Sequence, residues 1–265
     1  MMPVVTFRAG DAEILMLEDA SGPFFSPRED AFDATPAQWA DADAFDPQAR
    51  TPDGQWLLRF RCFAIRLAGG RVILVDTGIG PADAPSASWA PVPGRLPDAM
   101  AEAGLTPSDV DTVVLSHIHT DHIGWAVTGG APFFANARYL LQRADVEALR
   151  QFSPGLCPVF LEPLQDSGRL DVIEGDVALA AGVEVIATPG HTPGHQSVLV
   201  SVGRDRVLVT GDLLVHAVQL LHPDVAYAHE VDPARARETR VSLLSRLSGG
   251  AVLATPHLSR AFVSI

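Results

Sequence analysis

The chain has 265 residues, enough for one large α/β domain or two small ones, and 47% of them are hydrophobic. That composition fills a globular core and excludes a disordered chain. Thirty-two acidic against 19 basic residues give a formal charge of −13, and no lysine/arginine block follows a phosphate backbone, so nucleic acid is excluded as a partner.

Cys62 and Cys157 stand far apart, outside any CxxC spacing, and read as small apolar thiols of a reducing compartment. Met1 to Arg8 lack a basic stretch followed by an apolar one. No segment reaches the ~18 uninterrupted apolar residues of a membrane span. A soluble cytoplasmic protein is therefore expected.

Residues 13–18 form a first short strand in this reading. Residues 20–55 follow as a long acidic loop with prolines at 23, 27, 36, 47 and 52, carrying Phe24, Phe25, Phe32, Trp39 and Phe45. A loop of that length is functional or mobile. It suits a lid over a substrate, packing on the domain's flank, or a subunit contact. Leu57–Leu67 and Arg71–Val75 read as strands joined at Gly69-Gly70, the second ending in Asp76-Thr77-Gly78. Asp76 is placed either to orient a metal-binding histidine or simply to shape the turn. Residues 81–94 read as a Pro/Ala/Ser-rich loop with Trp89, 96–103 as a short helix closed by Gly104, and 109–116 as the approach to a buried strand.

That strand leads into His117-Ile118-His119-Thr120-Asp121-His122, four metal-ligand side chains within six positions. Imidazole nitrogen and carboxylate oxygen suit zinc and its first-row neighbours, and grouping them beside a core is costly without a cation. A helix is expected to begin near Gly124. Further on, 139–142 reads as a strand, 144–151 as a helix and 153–170 as a proline-bearing loop. The strand 183–187 ends in Thr188-Pro189-Gly190-His191-Thr192-Pro193-Gly194-His195, two rigid turns that aim His191 away from the strand end. A hairpin around Gly203 ends in Gly211-Asp212. A helix starts at Asp232-Pro233, with Val241, Leu244 and Leu247 on one face, and ends at Gly249-Gly250. The strand 251–254 delivers Thr255-Pro256-His257. Four strand ends thus carry candidate ligands, and ligand sites of α/β folds collect at the carboxyl edge of a sheet.

His117-x-His119-x-Asp121-His122, the tandem turn with His191, Gly211-Asp212 and His257, together with Leu74-Val75-Asp76-Thr77-Gly78, resemble the metal signature of the metallo-β-lactamase superfamily over roughly residues 55–260. The resemblance implies an αββα sandwich: two mixed β-sheets face to face, helices outside and metals at one edge. Residues 1–265 would form a single domain, with 20–55 as its N-terminal extension. It implies two Zn²⁺ per chain, with Mn, Fe or Co accepted by the same ligands. His117, His119 and His191 would bind one metal and Asp121, His122 and His257 the other, with Asp212 bridging. A homodimer is implied by resemblance alone.

The segment from Gly211 through Asp224 is similar to the branch containing methyl-parathion-hydrolase-like and YtnP-like quorum-quenching lactonases. Val215 stands where many acyl-homoserine-lactone lactonases carry tyrosine, and Gly124-Trp125 stands where a glycine pair is usual. The implied activity is hydrolysis of an ester, a lactone first, by hydroxide bridging two metals whose bound water has its pKa lowered from 15.7 toward ~7. A phosphotriesterase or aryl-ester hydrolase, or a weak metal-binding member with a ligand-binding role, are the alternatives. Asp121 is the candidate proton donor. His216 is a candidate contact to substrate or leaving group, beside a structural alternative. Phe24, Phe25, Trp89, Trp125 and Leu214 are candidate pocket walls. Asp76 and His195 are candidate supports, and His222 and His229 surface or rim groups.

Overall fold

The structure is a computed structural model and describes residues 4–265; Met1-Met2-Pro3, on which part of the N-terminal reading rests, lie outside the described residues. A seven-stranded sheet comes first in the chain. It comprises β1 (Thr6–Ala9), β2 (Ala12–Pro23), β3 (Leu57–Arg66), β4 (Val72–Val75) and β5 (Thr112–Val114). A small separate hairpin, β6 (Val127–Thr128) and β7 (Ala131–Pro132), intervenes before β8 (Arg138–Gln142) and β9 (Leu170–Ile173) complete the sheet. The second sheet runs in sequence order through β10 (Val177–Ala180), β11 (Val183–Ala187), β12 (Gln196–Val202), β13 (Asp205–Val209), β14 (Ala251–Ala254) and β15 (Phe262–Ser264).

The two sheets face each other across one apolar layer. Ile14, Phe63, Ile65, Ile73, Val75 and Val114 of the first meet Val183, Val185, Val198, Val200, Val207 and Val209 of the second, all buried. The β-branched side chains suit this position because they pack well on a pleated surface with little freedom to lose. Each contributes roughly 1.5–3 kcal/mol by full burial.

The outer face of the first sheet is covered by α3 (Leu96–Glu102), α4 (Arg143–Phe152) and α5 (Glu162–Asp166), through Leu96, Met100, Val146, Leu149 and Leu164. The second is covered by α6 (Ala217–Leu221) and α7 (Pro233–Leu247). Joining them are two helices from the N-terminal stretch, α1 (Arg28–Ala31) and α2 (Pro36–Phe45). The expected αββα sandwich is present.

Strand direction then decides where ligands gather. β4, β5 and β8 are mutually parallel, so Asp76 and His117 emerge at the same edge of the first sheet. β13 and β14 are parallel, and β11 shares their direction through two antiparallel steps, so His191, Asp212 and His257 emerge together from the second.

Several expected loops are ordered otherwise. Residues 20–55 contain the end of β2 and helices α1 and α2. Thr35 caps α2 in a capping box with Gln38, and Phe32, Trp39 and Ala42 are buried on the flank. Residues 153–170 hold short helical turns and α5, with Phe160, Leu161 and Leu164 buried. No helix begins at Gly124, because the backbone N–H groups of Gly124 and Trp125 go to Gly78 and Thr77 carbonyls (2.8 and 2.9 Å) instead of to a new helical turn. In α7 the buried stripe is Ala236, Arg240, Leu243, Leu244 and Leu247, whereas Val241 faces solvent. No helix among the described residues is long and apolar enough to cross a membrane.

Candidate metal centre

His117, His119, His191 and Asp212 form one group of converging ligand atoms, and Asp121, His122 and His257 form a second, with the atoms of each group within 4.8 Å of one another. Asp212 stands between them. Its Oδ2 lies 3.2 Å from His191 Nε2 and 3.8 Å from His117 Nε2, while its Oδ1 lies 3.0 Å from His257 Nε2 and 3.3 Å from His122 Nε2. One carboxylate oxygen therefore faces each group. Asp121 Oδ2 sits 3.4 Å from His122 Nε2 and 3.7 Å from His257 Nε2.

The surroundings fix which nitrogen of each ring points inward. The Asp76 carboxylate accepts from Ser116 N (2.7 Å), Ser116 Oγ (2.9 Å) and His122 Nδ1 (2.8 Å), which leaves Nε2 of His122 free to face the centre. His257 Nδ1 donates to the Arg59 carbonyl at 2.6 Å with the same result. Asp76 thus orients a histidine as well as shaping its turn.

His195, the second histidine of the tandem turn, has both nitrogens committed. Nδ1 meets the Thr188 hydroxyl and carbonyl at 2.8 and 3.0 Å, and Nε2 accepts the backbone N–H of Asp212 at 2.9 Å. It therefore clamps Asp212 from behind. Gly211 is required beside it, since a Cβ there would lie 2.8 Å from His195 Nε2 and 2.7 Å from Ser116 Cβ, at a φ of +51°.

The donor set fits divalent cations. His117 Nε2 and Asp212 Oδ1 are buried and make no hydrogen bond among the described residues, and such orphaned polar atoms are costly unless something binds them. Imidazole nitrogens also crowd one another, His191 Nε2 to His119 Nδ1 at 2.9 Å and His257 Nε2 to His122 Nε2 at 3.3 Å. Burial pushes His119 down to about 3, and neighbouring imidazoles push it the same way, so its ring is neutral and a competent ligand. Burial also opposes charge on Asp212, yet His257, His122, His191 and His117 around it hold its carboxyl well below the usual range.

Above this floor opens a cavity of about 350 Å³. Phe24, Phe25 and Trp89 line it, as does Asp121. Trp89 Nε1 donates to Thr120 Oγ1 at 3.0 Å, tying the wall to the ligand loop. Three candidates lie elsewhere. Trp125 does not line the cavity: its Nε1 donates to Asp19 at 3.1 Å and its ring packs on Phe133. Leu214 is buried in the core beneath α7. His216 is no substrate contact either. Its Nδ1 accepts from Val218 N at the start of α6, and its ring is boxed by Phe32, Trp39 and Trp56 at 5.3–5.7 Å. His222 is a surface group paired with Asp41, and His229 lines the cavity.

Sequence reasoning missed three residues. Tyr227 lines the cavity with its ring parallel to His191, centroids 6.0 Å apart. Arg240, buried on α7, donates to the carbonyls of Leu213, Pro223 and Val225 and to Glu230, whose other oxygen accepts Tyr227 N. That network shapes the whole 213–230 segment; an arginine in a helix stripe was the available signal. Asp19 sits at a bulge of β2 and accepts from Ile79 N and Leu96 N at 2.7 and 2.6 Å.

Comparison with known proteins agrees with this arrangement. A family model described as the metallo-beta-lactamase superfamily matches residues 61–253. The chain is 35% identical over 119 residues to an N-acyl homoserine lactonase of Bacillus sp, a stretch covering 44% of each chain. It is 36% identical over 126 residues to the N-acyl homoserine lactonase AttM of Rhizobium radiobacter, covering 42% of this chain and 44% of the relative. These matches span less than half the length of the relatives. Among solved structures, the hydrolase AbOPH of the beta lactamase superfamily superposes with a TM-score of 0.81 at 24% identity, over 100% of this chain and 93% of that one. AidC, a dizinc quorum-quenching lactonase in complex with a product, gives 0.78 at 20% identity, over 98% and 92%. At those identities the superpositions speak for the fold. Two face-to-face sheets with a histidine/aspartate centre at their shared edge, and a family match over most of its length, place the chain in the metallo-beta-lactamase superfamily.

Proposed function

We propose that this chain is a metal-dependent hydrolase of small-molecule esters, a lactone first. In this reading His117, His119 and His191 hold one divalent cation, Asp121, His122 and His257 hold a second, and Asp212 bridges them. The observation that carries the reading is the Asp212 carboxylate with one oxygen toward each group, at the floor of a largely apolar cavity. Zinc is the first choice, and manganese, iron and cobalt accept the same donors. Two such cations, when bound, lower the pKa of water toward ~7 and polarise a carbonyl, which is the chemistry ester hydrolysis needs at neutral pH.

The chain's own groups supply the rest. Protons held on Nδ1 of His122 and His257 keep their Nε2 atoms available as ligands. Phe24, Phe25, Leu58 and Trp89 exclude water and receive an acyl chain. Asp121 lines the cavity beside His122 and His257, a suitable place from which to return a proton to the leaving oxygen. The hydroxyl of Tyr227, on the wall next to His191, is available to donate to a substrate carbonyl.

The names of the lactonase relatives support the lactone choice. A phosphotriester or aryl ester is the second reading, favoured by the aromatic walls, which suit an aryl leaving group. The test is metal analysis of the purified protein followed by lactone and organophosphate panels, before and after chelation and metal return. Lactone turnover that disappears with the metal and comes back with it is expected. Turnover of phosphotriesters alone would replace the first reading with the second. A two-metal preparation inert toward all of them would overturn both and favour a ligand-binding role.

A further inference from the structure

The two groups of ligands are not supported alike. His122 and His257 each have Nδ1 held by an oxygen, which fixes ring orientation. His191 has no such tether: its Nδ1 is buried and makes no hydrogen bond among the described residues. The position of His191 therefore depends on the backbone of the turn that carries it, and on stacking against Tyr227. Three ties hold that backbone from the side of α7: Val231 N to the His191 carbonyl and Asp232 N to the Gly190 carbonyl, both 3.0 Å, and the Thr239 hydroxyl to the Pro189 carbonyl at 2.8 Å.

On the opposite side stands Asp145, in the first turn of α4 and fully buried. Its Oδ2 accepts the Thr192 hydroxyl at 2.9 Å, and its Oδ1 accepts the backbone N–H of Gly194 at 2.6 Å. The same carboxylate faces the backbone of Ile118, the residue between His117 and His119. The approach is close enough that a Cβ on Gly194 would lie 2.6 Å from the Asp145 backbone nitrogen. The second Thr-Pro-Gly of the tandem repeat thus has its own task. The first turn, through Thr188, secures His195 behind Asp212; the second, through Thr192 and Gly194, docks on α4.

We infer that Asp145 is a positioning residue for the first group of ligands, holding the His191 turn in register with the loop that carries His117 and His119. The inference rests on the metal-binding role proposed above, but not on the substrate. It differs from the support of the second group in acting on backbone and not on a ring nitrogen. Charge-assisted hydrogen bonds from a buried carboxylate are strong, and fixing a turn is an effective way to fix a ligand that lacks its own anchor.

The test measures metal binding by competition with a chromophoric chelator, so it does not depend on turnover. Two backgrounds separate the groups: His257→Ala weakens the second and leaves the first, and His191→Ala does the reverse. In the His257→Ala background, Asp145→Ala should lower affinity by about 10–100-fold, the range for loss of an outer support. In the His191→Ala background it should change affinity by less than about twofold, well below that range. Asp145→Asn can still accept from Gly194 N and donate to the Thr192 hydroxyl, and should restore most of the affinity. Should Asp145→Ala not fold, Thr192→Val, which removes one of the two bonds, takes its place, with a loss of several-fold expected in the first background alone. Unchanged affinity, or an equal loss in both backgrounds with only a lower melting temperature to distinguish the variant, would overturn the inference. A protein that binds two metals but hydrolyses nothing would sink the proposed activity and leave this result standing.

Discussion

At the floor of the cavity every ligand leaves the end of a strand or a turn that is itself bonded on, whereas the walls are rings carried by short helices and connecting segments. His117 follows β5, His191 follows β11, Asp212 follows β13 and His257 follows β14, and behind them stand Asp76, His195 and the Arg59 carbonyl. Phe24, Phe25 and Trp89 pack on one another, with ring centroids 4.1–6.2 Å apart, and on the rings of Trp56 and Phe60 behind them; among the described residues the only polar tie of that trio to the floor is Trp89 to Thr120. Phe25 remains 63% exposed. The difference teaches that reaction type and substrate choice are set in separate layers. Floor substitutions should abolish chemistry for every substrate, and wall substitutions should re-rank substrates with the metals in place.

The largest effect is expected at the shared carboxylate. Asp212→Ala removes an oxygen from each group and frees His195 Nε2 of nothing, since that atom accepts only the backbone N–H. The fold should therefore survive while bound metal falls below two per chain. Turnover of every ester should fall by more than the ~10–100-fold that loss of an outer support costs. Metal analysis and a thermal melt on the same sample check this, and full occupancy with full activity would break the floor's claim. Asp76→Asn is the next step down. It keeps an acceptor for Ser116 but weakens the bond that orients His122, so metal affinity should drop by roughly 10–100-fold with the melt little changed. Chelator competition reads that directly.

Legibility follows the same division. The ligands could be read because chemistry demanded particular side chains at particular strand ends, and a strand end is visible as an apolar, β-branched run that gives way to polar or turn-forming residues. His117 through His122 and Thr188 through His195 are of that kind. The walls could not be read. Trp125 and Trp89 look alike in sequence, yet one ring is drawn to Asp19 beneath the bulge of β2 and the other turns to Thr120, and only the tertiary position of those acceptors decides it. For His216 the sequence leaves a substrate contact and a structural role both open, and the structure decides for the second: the chain turns at Leu213–Leu214 and sends the ring into the aromatic box under α2. The 20–55 stretch, rich in proline and acid, hid two helices whose stability comes from burying Phe32 and Trp39 against the second sheet's outer layer, not from local propensity. Tyr227 had no local signal at all; its place is fixed by Glu230 and Arg240.

Tyr227 is a wall residue whose ring stacks directly on a ligand of the floor, His191. Tyr227→Phe keeps the ring on His191 and removes only the hydroxyl. Metal content should be unchanged. If the hydroxyl donates to the reacting ester, kcat/KM should fall by up to about tenfold, the worth of one hydrogen bond of roughly 0.5–1.5 kcal/mol. A fall in kcat at constant KM would mean that the bond is made in the transition state, and a rise in KM alone that it serves binding. No change in either would leave Tyr227 as a packing partner of His191.

The smallest effect is expected at Phe25, and it is the most discriminating for the walls. Its ring packs against Phe24 and approaches Trp89 and His229 edge-on, yet most of it faces solvent, so truncation leaves little cavity in the protein itself. Phe25→Ala should leave the melting temperature and metal content unaltered. A bound apolar tail, however, would cover that ring, and losing the contact should cost on the order of 1 kcal/mol, about fivefold, by the area removed from water. The loss should appear only with substrates whose tail reaches the rim, because a short tail ends on the buried Leu58, short of the exposed Phe25 ring. Measuring kcat/KM across a series of acyl chain lengths therefore gives two lines that diverge beyond a threshold length if the wall selects by tail. Parallel lines, offset equally at every length, would mean that Phe25 acts through the floor, and the separation of the two layers would fail at this residue.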